Sequence, residues 1–143
     1  MSTKPGGEAR AVEVGTELPP LTVTLRRDDL VRYAGASGDF NPIHWSDRMA
    51  AALGLPGVIA HGMLTMASSA RVVTDWLDDP SDLIEYGVRF TKPVVVPDDD
   101  KGATVTFSAK VDKVADGLAE IDITAIAGEE KVLGRARAVV RVS

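Results

Sequence analysis

The chain has 143 residues, 16 Lys and Arg against 21 Asp and Glu, a net charge of −5, 45% hydrophobic residues and no Cys. That length suits one core with no metal or disulfide staple, and the lack of Cys excludes disulfides, thiolate zinc sites, iron–sulfur clusters and a cysteine nucleophile, in keeping with a cytoplasmic protein. The acidic balance opposes nucleic-acid binding, which needs surplus Lys and Arg, and no apolar run reaches the roughly 20 residues that cross a bilayer.

Residues 1–11 are polar and Gly-rich with no apolar stretch, and read as a flexible arm before a single domain over 12–143. Leu21, Val23 and Leu25 alternate with Thr22 and Thr24, which predicts a strand at about residues 21–25. Asp28 and Asp29 open a short helix through Leu30–Ala34, with Gly35 as its stop. Residues 36–45 form a polar loop in which Pro42 forbids helix and pushes Asn41 toward extended geometry. Ser46 caps a second short helix over 47–53, ended by Gly54.

The longest helical pattern runs over residues 63–77, where Met63, Met66, Ala67, Ala70, Val73, Trp76 and Leu77 recur at threes and fours. Leu64 and Val72 on the other side predict burial on most faces. At 1.5 Å per residue the helix is about 20 Å long, enough to cross a small sheet. An acidic loop, residues 78–82, closes it. Everything after that alternates. Ile84, Tyr86, Val88 and Phe90 make one strand, Ala103 to Val111 a second, Ala119 to Ala127 a third, and Val132, Gly134, Ala136, Ala138, Val140 and Val142 a fourth. Tight turns at 115–117 and 128–130 require antiparallel neighbours. The layout is α+β, an antiparallel sheet wrapped around one long central helix.

The two histidines stand beside helix or loop boundaries. Asp39 and His44 share a Gly- and Pro-shaped loop that can bring a carboxylate and an imidazole together, a pair able to manage one proton leaving and another arriving. Asn41 between them offers an amide to orient either group. The competing reading is that Asp39 and Asn41 only make Asx-type turns and His44 only packs beside Trp45. Gly62, after His61, begins the long helix, so its N–H lacks an intrahelical acceptor and a ligand carbonyl can approach it closely. It is a candidate oxyanion donor, or simply a glycine permitting a tight turn into a buried helix. His44, His61, Asp39 and Asp47 include metal-ligand types, but no HxxxH or HExxH spacing is present, and no metal is expected.

Gly38-Asp39-Phe40-Asn41-Pro42-Ile43-His44-Trp45-Ser46-Asp47 resembles the motif, roughly G-D-x-N-P-[LIV]-H-x-[DA], of the MaoC-like (R)-specific enoyl-thioester hydratases and dehydratases. Ala60-His61-Gly62-Met63-Leu64, Tyr86-Gly87-Val88-Arg89-Phe90 and the C-terminal strands match as well, so the likeness spans about residues 12–142. It is nearest to the motif-bearing subunits of the two-subunit (3R)-hydroxyacyl-ACP dehydratases. The resemblance implies a hotdog fold, and a homodimer or a heterodimer with a second hotdog subunit. It implies an acyl thioester substrate on acyl carrier protein or CoA, and no cofactor. Asp39 and His44 fall on the catalytic pair; Asn41, His61 and Gly62 fall on the substrate-binding positions, with the Gly62 N–H polarising the thioester carbonyl. A partner-docking, tunnel-forming subunit and a hotdog thioesterase are the alternatives. An acidic carrier protein would need a locally basic face, for which Arg48, Arg71, Arg89, Lys92, Arg135 and Arg137 are candidates.

Overall fold

A computed structural model describes residues 12–142, so the arm expected at 1–11 lies outside the described residues. Strands β1 (Glu17–Leu25), β2 (Leu83–Phe90), β3 (Ala103–Ala115), β4 (Leu118–Ala127), β5 (Glu130–Lys131) and β6 (Leu133–Arg141) form one sheet, and helices α1 (Arg27–Ser37), α2 (Asp47–Ala52) and α3 (Gly62–Thr74) precede β2. The sheet order is β1-β3-β4-β6-β2, with β5 paired to β4, and every pairing is antiparallel. α3 lies across the concave side against β1, β2, β3 and β6. No helix among the described residues is long and apolar enough to cross a membrane.

The alternation on β3 and β4 does what period two requires. Val105, Phe107, Ala109 and Val111 face inward, matched by Ala119, Ile121, Ile123 and Ala125, and all are buried. Asp116 and Gly117 supply the two positive φ angles (54° and 74°) of a tight hairpin turn. The final strand keeps most of its expected series: Val132, Ala136, Ala138 and Val140 are buried, while Gly134 and Val142 are only half-buried. Arg135 takes φ 46° and the register against β2 shifts there, so Leu133 joins Ala136 on the core side. One extra residue in a strand puts odd and even positions on the same face across the bulge.

Other boundaries shift for local reasons. β1 starts four residues earlier than its alternation suggests, because an edge strand with a register break between Leu18 and Leu21 tolerates Pro19 and Pro20. α1 passes through Gly35 and stops at Gly38, whose φ of 77° makes the left-handed cap. α2 begins on the Ser46 cap, whose hydroxyl accepts the Met49 N–H, and ends at Ala52. α3 ends at Thr74, a turn short, where Asp75, Asp78 and Asp79 set negative charge against the negative end of the helix dipole. The expected buried face of α3 is also corrected. Thr65, Ser69, Val72 and Val73 are buried, while Met63 is 58% exposed and Ala67 faces outward. Thr65 and Ser69 were disguised by their polarity. The Ser69 hydroxyl donates to the Met66 carbonyl and pairs with Tyr86, so it can be buried without loss.

The turn into β3 sets a stability prediction. Gly102 has φ 68°, and a Cβ there would lie 2.2 Å from the Leu25 carbonyl oxygen. Gly128 has φ 63° with nothing near its would-be Cβ. Gly128→Ala therefore carries only the left-handed penalty of about 1–2 kcal/mol, whereas Gly102→Ala adds a backbone clash and loses at least about 3 kcal/mol. Urea denaturation of the two variants measures the difference.

Candidate active site

Short-range hydrogen bonds build the loop between α1 and α2. The Asp39 N–H donates to Ser37 Oγ, the Asn41 N–H to Asp39 Oδ1 at 3.2 Å, and the Ile43 N–H to Asn41 Oδ1 at 3.2 Å. Pro42–His44 is thereby wound into a single 3-10 turn capped by Asn41. The Asx turns that stood as the competing reading are real, and they also aim Asp39 and His44 at each other. His44 Nε2 lies 3.8 Å from Asp39 Oδ2, with the imidazole 8% exposed and the carboxylate 50% exposed.

The tautomer follows from the other ring nitrogen. His44 Nδ1 is 2.7 Å from the Ile59 carbonyl oxygen. A carbonyl can only accept, so Nδ1 carries the proton and neutral His44 presents an Nε2 lone pair toward Asp39. Ile59 is itself held on both sides. Its N–H donates to the Ile43 carbonyl, and residues 58–60 run beside 94–96 through the Ala60–Val94 and Val96–Val58 hydrogen bonds. Arg27 fastens the same region from α1, donating to the Val96 carbonyl and to Asp47, which also accepts the Val58 N–H. The guanidinium holds the Asp47 carboxyl below its usual range. Asp47, a ligand type on paper, is a structural anchor.

His61, grouped in sequence with the substrate-binding residues, is 1% exposed. Its Nε2–H donates to the Asp39 main-chain carbonyl at 3.1 Å, its ring stacks on His44 at 3.9 Å, and Tyr33 meets it edge-on at 4.7 Å. Burial pushes its pKa below the ordinary value of 6.5, and the neighbouring His44 pushes the same way. His44 therefore packs against His61, and Trp45 turns outward with its indole N–H on the Phe40 carbonyl. Asp39, His44 and His61 offer ligand-type atoms within 4.8 Å of one another. The two rings, however, are stacked and inclined by only 23°, so their lone pairs lie in separate, nearly parallel planes, which is poor geometry for meeting at one ion.

Gly62 is the first residue of α3, and its N–H has no acceptor within the helix. It lines a cleft of about 330 Å³ with Leu55, Ile59, Thr65, Phe90 and Leu133. A Cβ on Gly62 would lie 3.0–3.3 Å from three atoms of the Phe90 ring. Of the candidate residues, Asp39, Asn41 and His44 come together on one loop, and Gly62 stands at the start of α3 in a cleft that those three do not line. Sequence reasoning did not point to the Ile59 carbonyl, Tyr33 or the Arg27–Asp47 tie, and Phe90 stood only inside the Tyr86–Phe90 match.

Residues 10–127 match the family described as MaoC like domain. The chain is 42% identical over 83 residues to 3-hydroxyacyl-thioester dehydratase X of Mycobacterium tuberculosis, covering 57% of this chain and 29% of that protein. It is 33% identical over 111 residues to the 3-oxo-4,17-pregnadiene-20-carboxyl-CoA hydratase beta subunit of the same organism, covering 77% of this chain and 81% of that one. A solved MaoC-like dehydratase superposes with a TM-score of 0.89 at 38% identity, over 99% of this chain and 49% of that chain. The chain thus spans under a third of the first relative and about half of the solved structure. The sheet around α3 is the hotdog fold of those structures, and the chain belongs to the MaoC-like dehydratase family.

Proposed function

We propose that the chain is a (3R)-hydroxyacyl-thioester dehydratase, equally an (R)-specific trans-2-enoyl-thioester hydratase, acting by Asp39/His44 acid–base chemistry. The observation that carries this reading is the oriented pair: His44 Nδ1 committed to the Ile59 carbonyl and Nε2 turned to Asp39 Oδ2 at 3.8 Å. Removing water from a 3-hydroxyacyl thioester takes a weakly acidic proton from C2 and expels a poor leaving group from C3. Dehydration proceeds from the form of the pair in which Asp39 carries one proton. His44 Nε2 accepts the C2 proton as the C2=C3 bond forms, Asp39 protonates the departing hydroxyl, and water leaves. Proton transfer across the gap between the two side chains then restores the pair. Hydration is the reverse. Negative charge gathers on the thioester oxygen as C2–H breaks, and the Gly62 N–H, at the positive end of α3, is the donor for it. Asn41 spends its carbonyl on the Ile43 N–H, which leaves its amide N–H groups as donors toward substrate.

CoA or an acyl-carrier pantetheine carries the acyl group, and the apolar cleft beside Gly62 suits part of that substrate. A second hotdog subunit, whether the same chain or a different one, fits the outer edge of β2, where Ile84 and Phe90 are 47% and 56% exposed. The docking-subunit alternative draws on the same edge, but a chain acting only as a scaffold has no need of the oriented Asp39–His44 pair. Of the basic residues considered for carrier docking, Arg71, Lys92 and Arg137 are engaged by Asp75, Glu130 and the Asp112–Glu120–Asp122 group.

The test is hydration of trans-2-enoyl-CoAs of increasing chain length by the purified chain, followed by loss of enoyl absorbance, with its mass in solution measured alongside. Turnover to the (3R)-hydroxyacyl product is expected. Release of free CoA without hydration would instead identify a thioesterase.

A further inference from the structure

His61 occupies a position that stability alone does not explain. It is the N-cap residue of α3, where a Ser, Thr, Asp or Asn would accept a helix N–H, and its side chain makes no cap bond. It is buried, yet its Nδ1 has no hydrogen-bond partner. An apolar ring would fill the space without that unsatisfied atom, and a serine would cap the helix. What the imidazole does provide is two contacts into the site. Its Nε2–H reaches the carbonyl of Asp39, 22 residues back in the chain, and its face supports His44.

We propose that His61 is a positioning residue, a neutral imidazole that holds Asp39 through its main-chain carbonyl and His44 through its ring face, and so sets the separation of the catalytic pair from behind. This rests on the acid–base reading given above. With Nε2–H donated to a carbonyl, Nδ1 is the bare nitrogen, and it points into protein. The titratable groups that face the ring are Tyr33 from α1 and Asp39 and His44 from the loop. When His44 takes up a proton, the stacked His61 stays neutral, since a second cation at 3.9 Å would oppose the transfer. The proton therefore remains between His44 and Asp39.

Two substitutions separate this role from simple packing. His61→Phe keeps a flat buried ring but has no N–H for the Asp39 carbonyl, whereas His61→Gln offers an N–H without the ring. His61→Phe should lose about 10–100-fold in kcat for enoyl-CoA hydration, the scale of a misplaced catalytic group, with KM within about twofold of wild type. His61→Gln should recover at least about fivefold of that loss. A His61→Phe enzyme with wild-type kcat, a loss confined to KM, or a His61→Gln enzyme no faster than His61→Phe overturns the proposal. If one variant does not fold, ring nitrogen NMR of the wild-type protein decides: His61 must show the neutral Nε2–H tautomer at about pH 7, and a protonated or Nδ1–H form refutes the role. A wild-type chain that hydrates no enoyl thioester would overturn the proposed reaction instead. The positioning claim would then be read from a crystal structure of His61→Phe, where the 3.8 Å Asp39–His44 separation widens if the claim is right and is unchanged if it is wrong.

Discussion

Asp39→Asn is expected to lower kcat for enoyl-thioester hydration by about 10²–10⁴-fold, the usual worth of a general acid–base group, with the fold intact. The substitution is nearly isosteric, and the amide oxygen can still accept the Asn41 N–H that closes the Asx turn. The carboxylate is half exposed, so no buried charge pair is broken. What changes is the atom facing His44. An amide can neither take the proton of the attacking water in hydration nor give one to the departing hydroxyl in dehydration, the role proposed for Asp39. A stopped assay of hydroxyacyl product against enzyme concentration, beside a melting curve, gives both readouts. An Asp39→Asn protein with full activity would remove the pair from the mechanism. His44→Ala should be at least as inactive but is a less clean probe, because it leaves the half-buried Ile59 carbonyl without its donor and uncovers one face of His61.

The second large effect is expected at Gly62, where two substitutions isolate one N–H. Proline is well tolerated at the first position of a helix, since the missing N–H has no intrahelical partner there. The preceding residue suits it too: His61 has φ −58° and ψ 129°, the extended geometry that a following proline favours. Gly62→Pro therefore deletes the proposed oxyanion donor with little damage to α3, and should lower kcat by about 10²–10³-fold. Gly62→Ala retains the N–H and adds only a Cβ 3.0–3.3 Å from the Phe90 ring, a contact relieved by a side-chain shift of a few tenths of an ångström. It should lose much less. Equal losses in the two variants would mean that space at Gly62 matters and its N–H does not.

The parts of the site visible in the sequence share one property, closeness in the chain. Asp39, Asn41 and His44 sit within six residues, and the turn chemistry that joins them is written in their own side chains. Gly62 was visible because a helix start is a local event. The residues that orient these groups lie elsewhere and leave no pattern. The Ile59 acceptor is a main-chain carbonyl, which any residue type would supply. Tyr33 reads as an ordinary helix residue of α1, and Arg27 as an ordinary surface cation until it meets Asp47 and Val96. His61 was legible as a histidine beside a glycine, but whether it faces substrate or backs the site depends on packing between α1, the loop and α3.

The fold divides along the same line. Period-two alternation on β3 and β4, with a turn of Asp116 and Gly117 between them, determined a hairpin and its inward face, because each strand's neighbour is also its neighbour in sequence. Composition determined that these 143 residues supply no cysteine thiol, and the loop motif determined which side chains are available for acid–base work. Only the tertiary structure decided that the chain crosses from β2 at one edge to β3 beside β1, since residues 91–102 carry no periodicity that names a partner strand. It alone decided which face of α3 is buried, because a helix apolar on several sides does not say which side meets the sheet. It also decided the tautomer of His44, which depends on one carbonyl 15 residues away and on the backbone ladder that holds that carbonyl in place.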